Sequence, residues 1–140
     1  MKNLIRKSIL KIKPYQPGKP IEEVERELGI RDVIKLASNE NPLGASPKAI
    51  KAIKKSLNKL NRYPEGSCFY LKNRLAEKLA VSPENLIFGN GSDELIDIII
   101  KTFLDNDDEV ITSQTTFLEY EIITQVNGFK IKTVPLKSFK

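Results

Sequence analysis

Histidine is missing from these 140 residues altogether. Ser-His-Asp and Cys-His catalysis within the chain are thereby excluded, and a zinc site loses its usual nitrogen ligand. Cysteine occurs once, at Cys68. No internal disulfide can form, which fits a reducing, cytoplasmic setting. No apolar run approaches the roughly 20 residues that span a bilayer. Acidic residues are missing from the first thirteen positions, which are basic and hold Leu4, Ile5, Ile9 and Ile12 at helical spacing. That spacing predicts a helix docked on a partner or on the rest of the fold; Ser and Arg are too scarce there for a transit peptide. What is present suffices for a core: 40% of the residues are hydrophobic, in a length of about one ordinary domain. The net charge of +5 comes mostly from Lys, with Lys48, Lys51, Lys54, Lys55, Lys59, Lys72 and Lys78 scattered along the chain. These read as solvated helix surface rather than as the concentrated basic stripe with aromatic stackers that nucleic acid needs.

Prolines 14, 17 and 20 make residues 14–20 a connector without regular structure. A short helix is expected over 21–28, ended by Gly29, and a short strand over 33–36. Ser46-Pro47 opens a helix with Ala49, Ile50, Ile53 and Leu57 at helical spacing. A second follows over about 68–80, with Leu71, Leu75 and Leu79 on one face. From residue 85 the pattern runs strand (85–88), helix (92–104, burying Leu95, Ile98, Ile99 and Leu104), strand (109–112), helix (117–127) and strand (129–134). Such alternation predicts a parallel α/β sheet, with ligands at the carboxyl ends of its strands.

One of those ends is Phe88-Gly89-Asn90-Gly91-Ser92-Asp93-Glu94. A Gly-rich turn opening straight into a helix aims several amides at one spot, where a phosphate or other anion can sit. The same residues also describe a well-capped helix start, with Ser92 as cap and Asp93 and Glu94 favouring the macrodipole. The turn is neither a Walker loop nor the dinucleotide Gly-x-Gly-x-x-Gly. Phe117 and Tyr120 flank the next strand–helix junction, either as core aromatics or as a platform for a planar ring. Tyr63, in Arg62-Tyr63-Pro64, is either a packing residue or a hydroxyl donor to a phosphate. Asn39-Glu40-Asn41-Pro42 suits an Asx turn or a binding loop.

Taken in order, these segments resemble histidinol-phosphate aminotransferases, of the class-II pyridoxal-phosphate-dependent aminotransferases. The resemblance is carried by the N-terminal Pro14-Tyr15 and Pro17-Gly18-Lys19-Pro20, by Lys35-Leu36-Ala37-Ser38-Asn39-Glu40-Asn41-Pro42-Leu43-Gly44, by Arg62-Tyr63-Pro64-Glu65-Gly66, by the 88–94 turn and by Thr116-Phe117-Leu118-Glu119-Tyr120. It implies part of a fold-type-I α/β transferase. Residues 1–45 would be an N-terminal arm and substrate-side loop, and 46–140 the beginning of the large cofactor-binding domain. The implied activity is amino transfer between histidinol phosphate and 2-oxoglutarate in histidine biosynthesis. The implied enzyme is a cytoplasmic homodimer using pyridoxal 5′-phosphate, with no nucleic-acid or membrane partner. By position, Gly91, Ser92 and Asp93 would hold the cofactor phosphate and Phe117 would stack on its ring. Tyr63 would reach the phosphate of the neighbouring subunit's cofactor, and Tyr15 and Asn41 would lie near the substrate.

Two local departures stand out: Thr115, where relatives often have Pro, and Asp107-Asp108, where they often have Pro-Gly. The larger one is length. No residue here matches the Schiff-base Lys, the Asp that pairs with the pyridine nitrogen or the Arg that grips the substrate carboxylate; all three are expected beyond residue 140. The chain would then be an N-terminal fragment with no catalytic residue of its own, supplying phosphate anchoring, ring stacking and part of a dimer contact, inactive alone. The alternatives are a related enzyme, such as a threonine-phosphate decarboxylase, and a non-catalytic α/β module that binds phosphate or a partner chain.

Overall fold

The computed structural model describes residues 4–139. The chain divides into two compact units, Gln16–Leu79 and Met1–Tyr15 with Ala80–Lys140.

The first unit is helical. Its elements are α1 (Ile21–Leu28), α2 (Pro47–Ser56), continued by a 3-10 turn over Leu57–Lys59, and α3 (Phe69–Leu79). Pro47 sits in the first turn of α2, where its missing N–H costs nothing, although Ser46 makes no side-chain cap bond. The start of α3 is capped from a distance. The Glu65 carboxylate accepts from the backbone N–H of Ser67 and of Phe69, at 3.2 and 2.8 Å. The buried residue of α3 is Ala76, while Leu71 and Leu79, expected on a core face, are exposed. The strand expected over 33–36 does not form: the segment is irregular and Leu36 is 93% exposed. A strand exists only as a paired ladder, and this unit has no other strand among the described residues for it to pair with.

The second unit carries the α/β pattern. α4 (Ser92–Phe103) is followed by β1 (Glu109–Ser113), α5 (Glu119–Asn127) and β2 (Lys130–Val134). β1 and β2 pair in parallel, from Glu109 opposite Lys130 to Ser113 opposite Val134. Gln114 N–H extends the ladder to the Val134 carbonyl at 2.8 Å. α5 packs on both strands and on α4. Gly128 ends α5 at φ 91°, a left-handed cap that favours Gly. The core lies between α4, β1 and α5, where Ile100 and Thr124 are buried. Thr124 satisfies its hydroxyl by donating to the Tyr120 carbonyl at 2.6 Å. Ile99 is half exposed, so the buried face of α4 is centred one residue further along than the expected stripe.

Two expectations fail in this unit. Residues 85–88 form no ladder: Leu86 has strand-like angles (φ −116°, ψ 130°), but no described strand bonds to the segment and Ile87 is 63% exposed. Among the described residues the apolar spacing near the N-terminus gives no α-helix; it gives a 3-10 turn at Ile9–Lys11, with Leu4 exposed. The arm nevertheless docks on its own unit. Arg6 Nη2 donates to the Asn127 carbonyl at 3.4 Å, and Lys11, Ile12 and Lys13 line a cavity of about 330 Å³ against α5.

Candidate functional site

The turn from Gly89 to Asp93 is built by three local devices. Gly91 takes φ 85° and ψ −176°, a region open to essentially no other residue. A Cβ placed there would meet nothing within 4 Å, so conformation and not space demands the Gly. Gly91 N–H donates to the Gly89 carbonyl at 2.9 Å, which closes a tight turn around Asn90. Asn90 is held in its turn by Glu94: the Asn90 N–H and Nδ2 both donate to Glu94 Oε2, the side-chain bond at 3.0 Å.

These bonds sort the amides of the turn. Those of Asn90 and Gly91 are consumed by the fold. Those of Ser92 and Asp93 open a twelve-residue helix and have no intrahelical acceptor. No described residue accepts from them, and the helix start has no side-chain cap. Ser92 does not act as the cap; its Oγ donates to Asp93 Oδ1 at 3.4 Å. Two orphan donors at a helix end bearing roughly half a positive charge fit a phosphate ester. The donor chemistry and the open space at Gly91 therefore suit a phosphorylated cofactor.

Phe117 lies four residues beyond β1, at the carboxyl end of that strand, in the unit that carries the turn. Its ring meets Tyr120 edge-on, with centroids 6.1 Å apart and planes at 88°. Both rings are partly exposed, so Phe117 keeps surface free for a planar partner. In the turn before it, Gln114 N–H is tied to the Val134 carbonyl at 2.8 Å and Ser113 Oγ donates to the Thr115 carbonyl at 3.5 Å. Tyr15, half exposed, belongs to the same unit.

Tyr63 and Asn41 belong to the other unit. Tyr63 is fully exposed beside a shallow hollow lined by Leu60, Asn61, Arg62 and Pro64. Asn41 forms an Asx turn: its Oδ1 accepts from Leu43 N–H at 3.1 Å and its Nδ2 donates to the Gly44 carbonyl at 3.0 Å. Both ends of that amide are occupied within its own loop.

The shifted titrations belong to structural pairs. The Lys101 ammonium, and next the Asn127 amide, hold the Asp97 carboxyl below its usual range. Asn127 Nδ2 reaches Asp97 Oδ1 at 2.8 Å and so ties the end of α5 to α4. Lys132 likewise lowers Glu109 across the β1–β2 ladder, and Ser67 lowers Glu65 at the start of α3. Sequence reasoning gave Glu94 only a macrodipole role and missed its grip on Asn90. The available signal was an acid in the third helical position, the place from which a capping box reaches back.

Comparison with known proteins gives the family. Residues 31–140 match the family Aminotransferase class I and II. A histidinol-phosphate aminotransferase of Moorella thermoacetica is 53% identical over 135 residues, 96% of this chain and 35% of that protein. One of Desulfotalea psychrophila is 53% identical over 133 residues, 95% of this chain and 35% of that protein. The chain thus spans about a third of the length of the curated relatives it matches. Among solved structures, the histidinol-phosphate aminotransferase of Sinorhizobium meliloti in complex with pyridoxal-5′-phosphate superposes with a TM-score of 0.78 and 25% identity, covering 95% of this chain and 35% of that one. The α/β pattern, the Gly-rich turn and the match over 110 of 140 positions (31 to 140 inclusive) have one reading: the chain belongs to the aminotransferase class I and II family.

Proposed function

We propose that these residues are the cofactor-phosphate side of a histidinol-phosphate transaminase, which moves an amino group between histidinol phosphate and 2-oxoglutarate in histidine biosynthesis. The observation that carries this is the 53% identity to histidinol-phosphate aminotransferases over 96% of the chain, joined to two uncommitted amides at the start of α4. Ser92 and Asp93 N–H hold the phosphate of pyridoxal 5′-phosphate, and Gly91 contributes the conformation that exposes them. Phe117 stacks on the pyridine ring. Bound there, the cofactor supplies an electron sink for the substrate's α-carbon. Tyr63, fully exposed here, reaches the cofactor phosphate of a second subunit in a homodimer. Tyr15 and Asn41 lie on the substrate side; Asn41 acts by shaping its loop. Residues 1–45 serve as arm and substrate-side loop and 46–140 as the start of the large domain, in a cytoplasmic enzyme.

The proton-transferring Lys and the Asp partner of the pyridine nitrogen have no match among these residues. Borohydride treatment with pyridoxal 5′-phosphate should therefore fix no stoichiometric pyridoxyl group on any one lysine of this chain. The direct test is a chimera in which this chain replaces the matching third of the Moorella thermoacetica protein. Amino transfer from histidinol phosphate to 2-oxoglutarate within about tenfold of the parent is expected, since about half the exchanged residues are identical. A folded chimera that binds the cofactor yet transfers no amino group would overturn the reading.

A further inference from the structure

The structure assigns Glu94 as the positioning residue of the anion turn, an inference that rests on the reading of Ser92 and Asp93 as phosphate donors. Its carboxylate is bonded to Asn90 and not to the amides of Ser92 or Asp93. It folds back, and a single oxygen, Oε2, accepts from both the backbone N–H and the side-chain Nδ2 of Asn90. The fit is close. A Cβ on Gly89 would come within 2.9 Å of that oxygen and 3.2 Å of Leu95 Cγ and Cδ2, so a side chain at 89 would displace the carboxylate.

The consequence is a division of labour among adjacent amides. Asn90 is the pivot between Gly89 and Gly91, and Gly91 N–H is already spent on the Gly89 carbonyl. If Asn90 were released, its N–H and amide would be free to swing toward an anion, and the Gly91 angles that aim Ser92 and Asp93 outward would lose their support. Glu94 thus fixes which donors meet the phosphate. It does so at an electrostatic cost, because its negative charge lies within one helical turn of the anion. Geometry and charge pull in opposite directions here, and two variants separate them.

The test uses the full chain, with inorganic phosphate and pyridoxal 5′-phosphate as probes, at low salt. Phosphate affinity is followed through the amide resonances of Ser92 and Asp93, and turn closure through hydrogen exchange at Asn90 N–H. Glu94→Ala should unprotect Asn90 and weaken both ligands by about tenfold, the loss expected for a charge-assisted hydrogen bond. In Glu94→Gln one amide oxygen can accept both bonds. Asn90 should stay protected and affinity should rise about threefold, since a repelling charge is gone. Unchanged affinity in Glu94→Ala, or equal loss in Glu94→Gln, would overturn the positioning role while leaving the phosphate reading intact. If the wild-type amides of Ser92 and Asp93 respond to neither ligand, the phosphate reading itself fails and the inference falls with it.

Discussion

Gly91→Ala isolates backbone conformation from packing. At φ 85° and ψ −176° an L-residue is strained wherever it sits, and the position is otherwise open: a Cβ meets no atom within 4 Å. No clash contributes, so the whole effect is the cost of the dihedral region, about 1–3 kcal/mol. If the turn keeps its shape, that cost falls on stability. If the turn relaxes toward ordinary angles, it falls on the aim of the Ser92 and Asp93 amides, and phosphate affinity drops about 5- to 150-fold. Titration of pyridoxal 5′-phosphate against the amide resonances of residues 92 and 93, with thermal melting alongside, separates the two. Gly66→Ala is the control, because that site is equally open and has no left-handed angle. It should stay within about 0.5 kcal/mol of wild type. A Gly91→Ala protein that melts and binds like the control would refute the view that this Gly is required for its backbone angles.

Three further outcomes follow from the structure. The Asp97 carboxyl is held below its ordinary range, so its contribution is complete above the unfolded value near 4 and is lost as pH falls through the lowered folded value. Melting should fall on acidification below about pH 4, and Asp97→Asn should flatten that fall; an identical acid profile would remove the tie between α4 and α5 from the account. Tyr63→Phe should leave the circular dichroism of this chain unchanged, because the ring is fully exposed. In the chimera it should weaken cofactor binding about tenfold through one lost hydrogen bond; equal affinity would end its assignment to the phosphate. By itself the chain should melt broadly and bind a hydrophobic dye, and a sharp, dye-silent transition in a monomer would favour a self-sufficient module.

The helices of both units are legible in the sequence because their signals are local. Pro47 in a first turn, Gly29 and Gly128 just past a last turn and apolar residues three and four apart place α1, α2, α4 and α5 to within a residue or two. β1 and β2 are legible for a different reason: each residue finds its partner 21 positions away, with α5 between the strands. Segments 33–36 and 85–88 carry the same strand signals and form no ladder, since pairing belongs to a neighbour and not to the segment. At the site, the shape of the turn follows from Gly-Asn-Gly. The division of its amides does not, because it depends on a rotamer of Glu94 that sequence leaves open. Asn41 shows the reverse case, where the Asx turn suggested by its loop is what forms.

Surface area decides between a self-contained module and a part of something larger. The chain exposes 12981 Å² at 15.9 kDa. Two separate compact bodies of half that mass would together expose roughly 8,900 Å². The excess of about 4,000 Å² is several times the roughly 800 Å² that one partner contributes to a standard interface. A single docking protein of ordinary footprint would not absorb it. The excess is also in the wrong places for a finished fold: a parallel pair of strands normally has both faces covered, yet Ile111 is exposed in the middle of β1. The apolar stripe of α2 and its 3-10 extension, Ile50, Ile53 and Leu57, is likewise open to solvent. A non-catalytic module would have no reason to leave these faces bare. A larger sheet and a partner surface would cover both, so the exposed surface and the identity to histidinol-phosphate aminotransferases favour the same reading independently.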